Sequence, residues 1–465
     1  MIEVDRLVER TKKCADPLLN LIESPNVEDY GSAVWDVRAY TKMFEKFSYA
    51  KPLENIKESY KDLWDFASRV LCDEYQYMLG SCLTPIICTN KNIDSTPGFP
   101  KFLVYDSESD YLKDCGNLEY IKVWDNNPNL KPLWWTFLKT ETLKQKKIKE
   151  NDIRMIMCTD PVYTRFGACF EEDQNVRMKG MTETHQAQVG WCPFFGGLDQ
   201  RLRRLSVHPQ FIEMDWTRFD GTIPSEVFRH IKEFRWCCLA DEYKTEENRR
   251  RWEWYVNNLI DKIVLLPTGE VTKICGGNPS GQISTTTDNN MVNTFLTAFE
   301  VAYLYKHQFG VVPTLKWFRN NVQMICYGDD RLMSTSEILN YDPVKVIELY
   351  KDIFGMWVKP ENIKVSQTLE GLSFCGFTFT KKNDKWVGIA NHHKLLSSLQ
   401  EPVKRLKDVE SLWTKLVSLR LMCENSPHHI KEYLDKQIWR VEQFCKRAEI
   451  ELPDLPASFF SILWQ

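Results

Sequence analysis

Apolar and polar positions change their spacing several times along the chain. Over residues 1–90 they recur with helical periodicity, as in Tyr40-Thr-Lys-Met-Phe-Glu-Lys-Phe47 and Leu63-Trp-Asp-Phe-Ala67, which predicts helices. Asn92-Ile-Asp-Ser-Thr-Pro-Gly-Phe-Pro100 breaks the pattern with two prolines and a glycine, so a loop is expected. Phe211-Ile-Glu-Met-Asp215 reads as a short buried strand, and Ser225 is placed to cap the helix that follows through Val227 towards Cys237. Asn278-Pro-Ser-Gly281 predicts a loop, followed by a Thr/Asn-rich helix to about Tyr305. Val322–Tyr327 reads as a strand, Gly328-Asp-Asp330 as a tight turn and Arg331–Ser334 as the returning strand. From about residue 386 the chain reads as helical, with Leu395, Leu396, Leu399, Val403 and Leu406 along one face.

Composition narrows the class. The 465 residues are 43% hydrophobic and 27% charged, close to globular averages, which excludes a disordered, collagen-like or coiled-coil chain. At ~100–200 residues per domain the length suggests about three lobes. No apolar run reaches the ~18 residues that span a bilayer. The opening Met1-Ile-Glu-Val-Asp-Arg6 lacks the charged-then-apolar pattern of a secretory signal.

Charge excludes a basic coat protein. With 60 Lys+Arg against 64 Asp+Glu the net charge is −4, so a polyanion site has to be a local patch. Residues 139–154 supply one candidate: Lys139, Lys144, Lys146, Lys147, Lys149 and Arg154 outnumber three acids, for a local charge of +3. On charge alone this segment reads as a solvated hairpin. The 15 cysteines form no C-x-x-C pair, so reduced thiols are expected. The pairs His392-His393 and His428-His429 read as helix-surface residues, since no ligand partner sits at metal spacing.

Two acidic clusters close predicted strands: Asp215-Trp-Thr-Arg-Phe-Asp220 and Tyr327-Gly-Asp-Asp330. Neither is specific alone. Two strands ending in Asp, set side by side in a sheet, would gather carboxylates that repel each other unless divalent cations fill the space. Two such ions ~3.5–4 Å apart can clamp the attacking and leaving oxygens of a phosphoryl transfer. Between the clusters lies Gly276-Gly-Asn-Pro-Ser-Gly281, then Thr285 and Asn289, with Ser280, Thr285 and Asn289 spaced to share a helix face.

In this order the set resembles the right-hand RNA-dependent RNA polymerases of positive-strand RNA viruses. Asp215-x4-Asp220 is similar to their motif A, Ser280-Gly281-x3-Thr285-x3-Asn289 to motif B, and Tyr327-Gly-Asp-Asp330 to motif C. The wording Asp-Trp-Thr-Arg-Phe-Asp-Gly-Thr-Ile-Pro224 looks most like astroviruses, within the picornavirus- and calicivirus-like group. Ser95-Thr-Pro-Gly-Phe-Pro100 resembles the template-entry motif G, Lys139-x-Glu141 through Arg154-Met-Ile156 the basic motif F, Phe354-Gly355 through Lys364 motif D, and Phe374-Cys-Gly-Phe377 stands at the motif E position. Motif E lacks the basic residue many relatives carry. Asp152 stands where relatives often have Lys, which passes that role to Lys147 or Lys149. In motif D the Lys lies one residue further from Pro360 than in some relatives, leaving Lys364 or Lys359.

The resemblance implies an α+β fold, a closed right hand. Fingers would occupy 1–205 with part of 238–280, a palm with a small antiparallel sheet 206–385, and a helical thumb 386–465. It implies template-directed RNA synthesis from nucleoside triphosphates with two Mg²⁺ (or Mn²⁺) ions on Asp215, Asp329 and Asp330. Lys364 would act as general acid. Arg154, Lys147 and Lys149 would hold the triphosphate. Asp220, Ser280, Thr285 and Asn289 would read the sugar. Ser95, Thr96, Pro97, Gly98 and Lys139 would meet the template. Implied partners are RNA template and nascent RNA, a genome-linked protein primer and other viral replication proteins, in the host cytoplasm within membrane-associated replication complexes. A reverse transcriptase is the nearest rival; its aromatic steric gate is replaced here by Asp220. Arg201, Arg203, Arg204 and Arg249–Arg251 fit either template phosphate or solvated helix faces. Tyr327 is expected to pack beside its turn, and Trp216 and Phe219 in the core.

Overall fold

The computed structural model describes residues 13–34, 36–47 and 49–465. The opening Met1–Arg6 lies outside them. The strands are β1 (Tyr30–Ser32), β2 (Leu133–Leu138), β3 (Thr142–Lys144), β4 (Met155–Cys158), β5 (Gln210–Met214), β6 (Asp261–Leu265), β7 (Val271–Cys275), β8 (Val322–Tyr327), β9 (Asp330–Thr335), β10 (Ile363–Ser366), β11 (Ser373–Phe374), β12 (Phe377–Lys382) and β13 (Lys385–Ala390). They build small sheets among helices, an α+β arrangement.

The sheet that matters most runs β10-β5-β9-β8, antiparallel throughout. Its inward positions, among them Ile212, Met214, Met324 and Met333, are fully or almost fully buried. The 25-residue helix Thr285–Phe309 packs behind it, with seventeen of its residues buried, from Thr287 through Leu304. A helix buried on nearly every side runs through the middle of a core, and its many buried Thr, Asn and acidic side chains are there hydrogen-bonded within the fold. Arg331 of β9 is wholly buried against Glu300 of this helix at 2.9 Å, and Tyr341 and Tyr350 donate to the same carboxylate. A second sheet, β4-β2-β6-β7, has one parallel pair, β2 with β6.

A separate apolar cluster joins the C-terminal helices Val409–Met422 and His428–Arg447 to the N-terminal segment, through Ile22 and Val27. The Glu23 amide donates to Gln437 Oε1 at 2.9 Å, and Lys436 and Arg440 pair with the Glu23 carboxylate. The first described residues therefore pack with the last helices.

Several expectations need correction. Residues 385–390 form β13, and the helix that begins at His392 ends at Ser397, so Leu399, Val403 and Leu406 lie outside it and the next helix begins at Val409. Residues 139–154 are not a plain hairpin: β3 leads into the short helix Gln145–Lys149 and then β4. Ser225 is the first helical residue, and Pro224 occupies the cap without a side-chain bond. β1 interrupts the helical 1–90 region. The described cysteines are all free. His393, His428 and His429 are exposed at helix starts, with His392 half-buried.

Candidate active site

The acidic strand ends lie at one edge of a single sheet, by a route the sequence did not indicate. β5 and β8 are not neighbours; β9 lies between them. Met214 faces Arg331 across β5 and β9, so Asp215, one residue on, arrives level with Asp330. Tyr327 pairs with Asp330 across β8 and β9, which leaves Gly328 and Asp329 as a two-residue hairpin turn. Gly328 has φ +61°, the left-handed value that such a turn requires at its first position. The long helix holds the turn. Asn290 Oδ1 accepts the Gly328 amide at 2.6 Å, and Asn293 Nδ2 donates to the Gly328 carbonyl at 3.1 Å.

The electrostatics mark a place for cations. Asp329 opens to the cleft but has protein on most sides. Burial pushes its carboxyl up to about 7, and Asp220, Asp330 and Asp215 push the same way. Water in the open cleft tempers that field. Burial likewise raises Asp330 to about 6 against the Cys375 amide that donates to it at 2.8 Å, with Asp215 and Glu213 adding to the rise. Asp215 is raised by burial, with Lys147 opposing. Among the described residues no three His, Cys, Asp or Glu side chains converge at ligating distance. Oxygen-only donors that repel one another suit hard cations such as Mg²⁺ or Mn²⁺, and not zinc. A cavity of about 520 Å³ adjoins the site, lined by Gly190, Trp191, Tyr327, Asp329, Asp330 and Cys375. Tyr327 opens into it at 38% exposure instead of packing beside the turn. Trp216 and Phe219 are buried, as expected.

The basic wall stands opposite. Arg154 pairs through two nitrogens with Glu141, and Lys139 Nζ lies 3.6 Å from the same carboxylate. The Arg154 guanidinium also feels Asp220 and Asp329, which places it towards the acidic cluster. Lys147 reaches the field of Asp215; Lys149 is exposed on the same short helix. Lys364 pairs in register with Glu213 on β5, with Nζ 3.8 Å from Oε2. Lys359 instead sits over the Trp357 ring at 5.2 Å.

Asn289 Nδ2 donates to Asp220 Oδ1 at 2.8 Å, so these two expected partners meet. Ser280 and Thr285 do not join that bond. The Ser280 hydroxyl donates to the Met155 carbonyl of β4 at 3.1 Å, and the Thr285 hydroxyl to Pro279 at 2.8 Å. Gly281 lies on β4 so closely that a Cβ would overlap the Met157 carbonyl oxygen. Ser95 is tied to Lys91 and the Asn92 carbonyl, the Thr96 hydroxyl accepts the Gly98 amide, and Pro97 and Gly98 are buried, with Gly98 against Thr159.

The uncommitted arginines are occupied within the fold. Arg201 is buried on Gln188 and Thr182, Arg203 pairs with Asp199, and Arg204 donates to the Glu183 and His185 carbonyls. Arg249 and Arg250 pair with nearby Glu residues, and Arg251 covers Trp124. Sequence reasoning missed Glu141, Glu213, Asn278, Gln282, Asn290 and Asn293. Glu141, Glu213 and Asn278 lay within recognised segments, Gln282 bonds to near neighbours in its own loop and helix start, and Asn290 and Asn293 act on Gly328, which is remote in the chain.

A family model for viral RNA-dependent RNA polymerase matches residues 2–438. The whole chain is 55% identical to part of the non-structural polyprotein 1AB of Turkey astrovirus 1, covering 29% of that protein. It is 51% identical over its full length to that of Avian nephritis virus 1, covering 31%. It is 42% identical over 93% of its length to that of Human astrovirus-1, covering 30%. The chain thus spans less than a third of the length of these relatives.

Proposed function

Because the chain belongs to the viral RNA-dependent RNA polymerase family, we propose that it copies an RNA template into RNA from nucleoside triphosphates, replicating and transcribing a viral genome. Asp215, Asp329 and Asp330 would hold two divalent cations, which when bound supply charge neutralisation to the attacking and leaving oxygens. The primer 3′-hydroxyl attacks the α-phosphate, the bond to the β-phosphate oxygen breaks, and pyrophosphate leaves. Arg154, oriented by Glu141 and helped by Lys147 and Lys149, holds the triphosphate. Lys364 protonates the leaving pyrophosphate. Asp220, oriented by Asn289, accepts a hydrogen bond from the ribose 2′-hydroxyl, while Ser280 ties the loop to β4 and Thr285 closes the loop on Pro279.

The same reading gives a right hand: fingers 1–205 with part of 238–280, palm 206–385 around the β10-β5-β9-β8 sheet, thumb 386–465. Ser95–Gly98 and Lys139 then line template entry. A genome-linked protein primer and other viral replication proteins are its partners, at membrane-associated complexes in the host cytoplasm. Among the described residues no helix is long and apolar enough to cross a membrane.

The observation that supports this reading is the strand register, which sets Asp215 level with Asp330 and beside the Gly328-Asp329 turn, with Arg154 in the field of Asp329. Asp215→Ala or Asp329→Ala should abolish template-directed incorporation while leaving the protein folded. Activity within tenfold of the parent would overturn the assignment.

A further inference from the structure

Beneath the Asp220–Asn289 pair lies a buried polar chain that ends in four fully buried charges. Lys232 lies 2.9 Å from Glu171 and 2.5 Å from Asp288; Arg235 lies 3.1 Å from Glu171 and 2.8 Å from Asp288. Two cations and two anions balance, so Asp288 remains an acceptor. Gln282 Nε2 donates to Asp288 Oδ2 at 2.8 Å and to Asn278 Oδ1 at 2.9 Å. Its Oε1 accepts from the Ser284 amide at 3.0 Å and the Tyr255 hydroxyl at 3.2 Å. Asn278 Nδ2 donates to Asn289 Oδ1 at 2.8 Å and to the Thr285 carbonyl at 3.1 Å. Asn289 Nδ2 donates to Asp220. The Asn278 backbone amide also reaches the Asp220 carbonyl at 2.6 Å.

Direction is what this chain carries. A primary amide has a donor end and an acceptor end of nearly the same shape, so an isolated Asn can present either. Here no amide is free to choose. Asp288 can only accept, which turns the Gln282 NH₂ towards it. The second hydrogen of that NH₂ turns the Asn278 oxygen inward and its NH₂ outward. The Asn278 NH₂ in turn takes the Asn289 oxygen, and only then does the Asn289 NH₂ face the Asp220 carboxylate. If Asn289 turned over, oxygen would face carboxylate and Asp220 would be pushed off its position.

We propose that Asn278 is a positioning residue for ribose selection: it locks the Asn289 amide so that its NH₂ faces Asp220, with its own orientation set through Gln282 by the buried Asp288. The proposal rests on the reading of Asp220 and Asn289 as the sugar-sensing pair. Asn278, Gln282 and Asp288 do not touch the sugar. They act through Asn289, at a place where discrimination depends on one hydrogen bond to a charged group.

The test is the ratio of kcat/KM for ATP and dATP on one defined primer–template, with thermal unfolding as control. Asn278→Asp keeps the shape and the Gln282 bond but offers Asn289 an acceptor where a donor stood. It should lower the ribo-to-deoxy preference by roughly tenfold or more, mainly by slowing ATP use. Asn289→Ala should do the same, and the double variant should be no worse than Asn289→Ala alone. If Asn278→Asp does not fold, Asn278→Ala removes the same donor and gives the same reading. A ratio moved by Asn289→Ala but not by the Asn278 variants overturns the proposal and leaves the sugar-sensing pair standing, as do additive losses in the double variant. A ratio unmoved by Asn289→Ala overturns both.

Discussion

Asp329 holds its negative charge at a cost that the fold itself imposes. Its ordinary value near 3.8 rises to about 7, so the folded protein binds a proton more tightly than the unfolded chain. Stability from that side chain is therefore lost as pH rises from about 4 through 7. Asp329→Asn removes the penalty. Without divalent ions the variant should unfold at a higher temperature than the parent at pH 8, and the gap should shrink towards pH 4. A gap independent of pH would mean that the carboxylate is not the source. Lys364 belongs at the same scale. Its pairing with Glu213 places it on the strand beside Asp215, whereas Lys359 lies over Trp357. Lys364→Leu should slow single-turnover chemistry and change its pH profile; Lys359→Leu should not. The reverse result would assign the acid to Lys359.

At the scale of elements, the sheet and the long helix act as one body through a buried ion pair. Removing Glu300 would strand the Arg331 guanidinium, together with the Tyr341 and Tyr350 hydroxyls that donate to that carboxylate. Breaking such a pair from one side costs about 3–5 kcal/mol. Glu300→Ala should show a loss of that order in denaturant unfolding, and Glu300→Ala joined with Arg331→Met should recover part of it. The strands carrying Asp215 and Asp329 were legible because short apolar runs that end in acids are local patterns. The helix after Ser280 was legible for the same reason. β13 was not: Trp386-Val-Gly-Ile-Ala sits directly before the leucine-rich turn at 395, and a helical reading of the latter absorbed it. Nor could periodicity show that β9 separates β5 from β8, since strand order is a tertiary choice. Arg201 was open between a phosphate ligand and a solvated helix residue, and it is neither, because its partners, Gln188 and Thr182, are set only by the folded loop before it. Asn278 and Gln282 stood in a segment expected only to be a loop, and nothing local shows that both side chains are buried.

At the scale of the whole molecule, the N-terminal segment belongs to the C-terminal helices. Ile22 and Val27 are over nine-tenths buried in that cluster, and the Val27 amide donates to Gln400. Replacing Ile22 with Ser should cost about 2–5 kcal/mol locally, by emptying a core site. Limited proteolysis should then cut within residues 13–30 before any other region, whereas uniform cleavage along the chain would mean a global defect. This arrangement also sets a clock on synthesis. The Glu23 amide emerges 414 residues ahead of the Gln437 side chain that receives it. At about 5–20 residues per second, the segment waits roughly 20–80 s on the ribosome before its partner exists. Throughout that interval Ile22 and Val27 are exposed apolar surface, so the earliest part of this chain to be made is among the last to find its place.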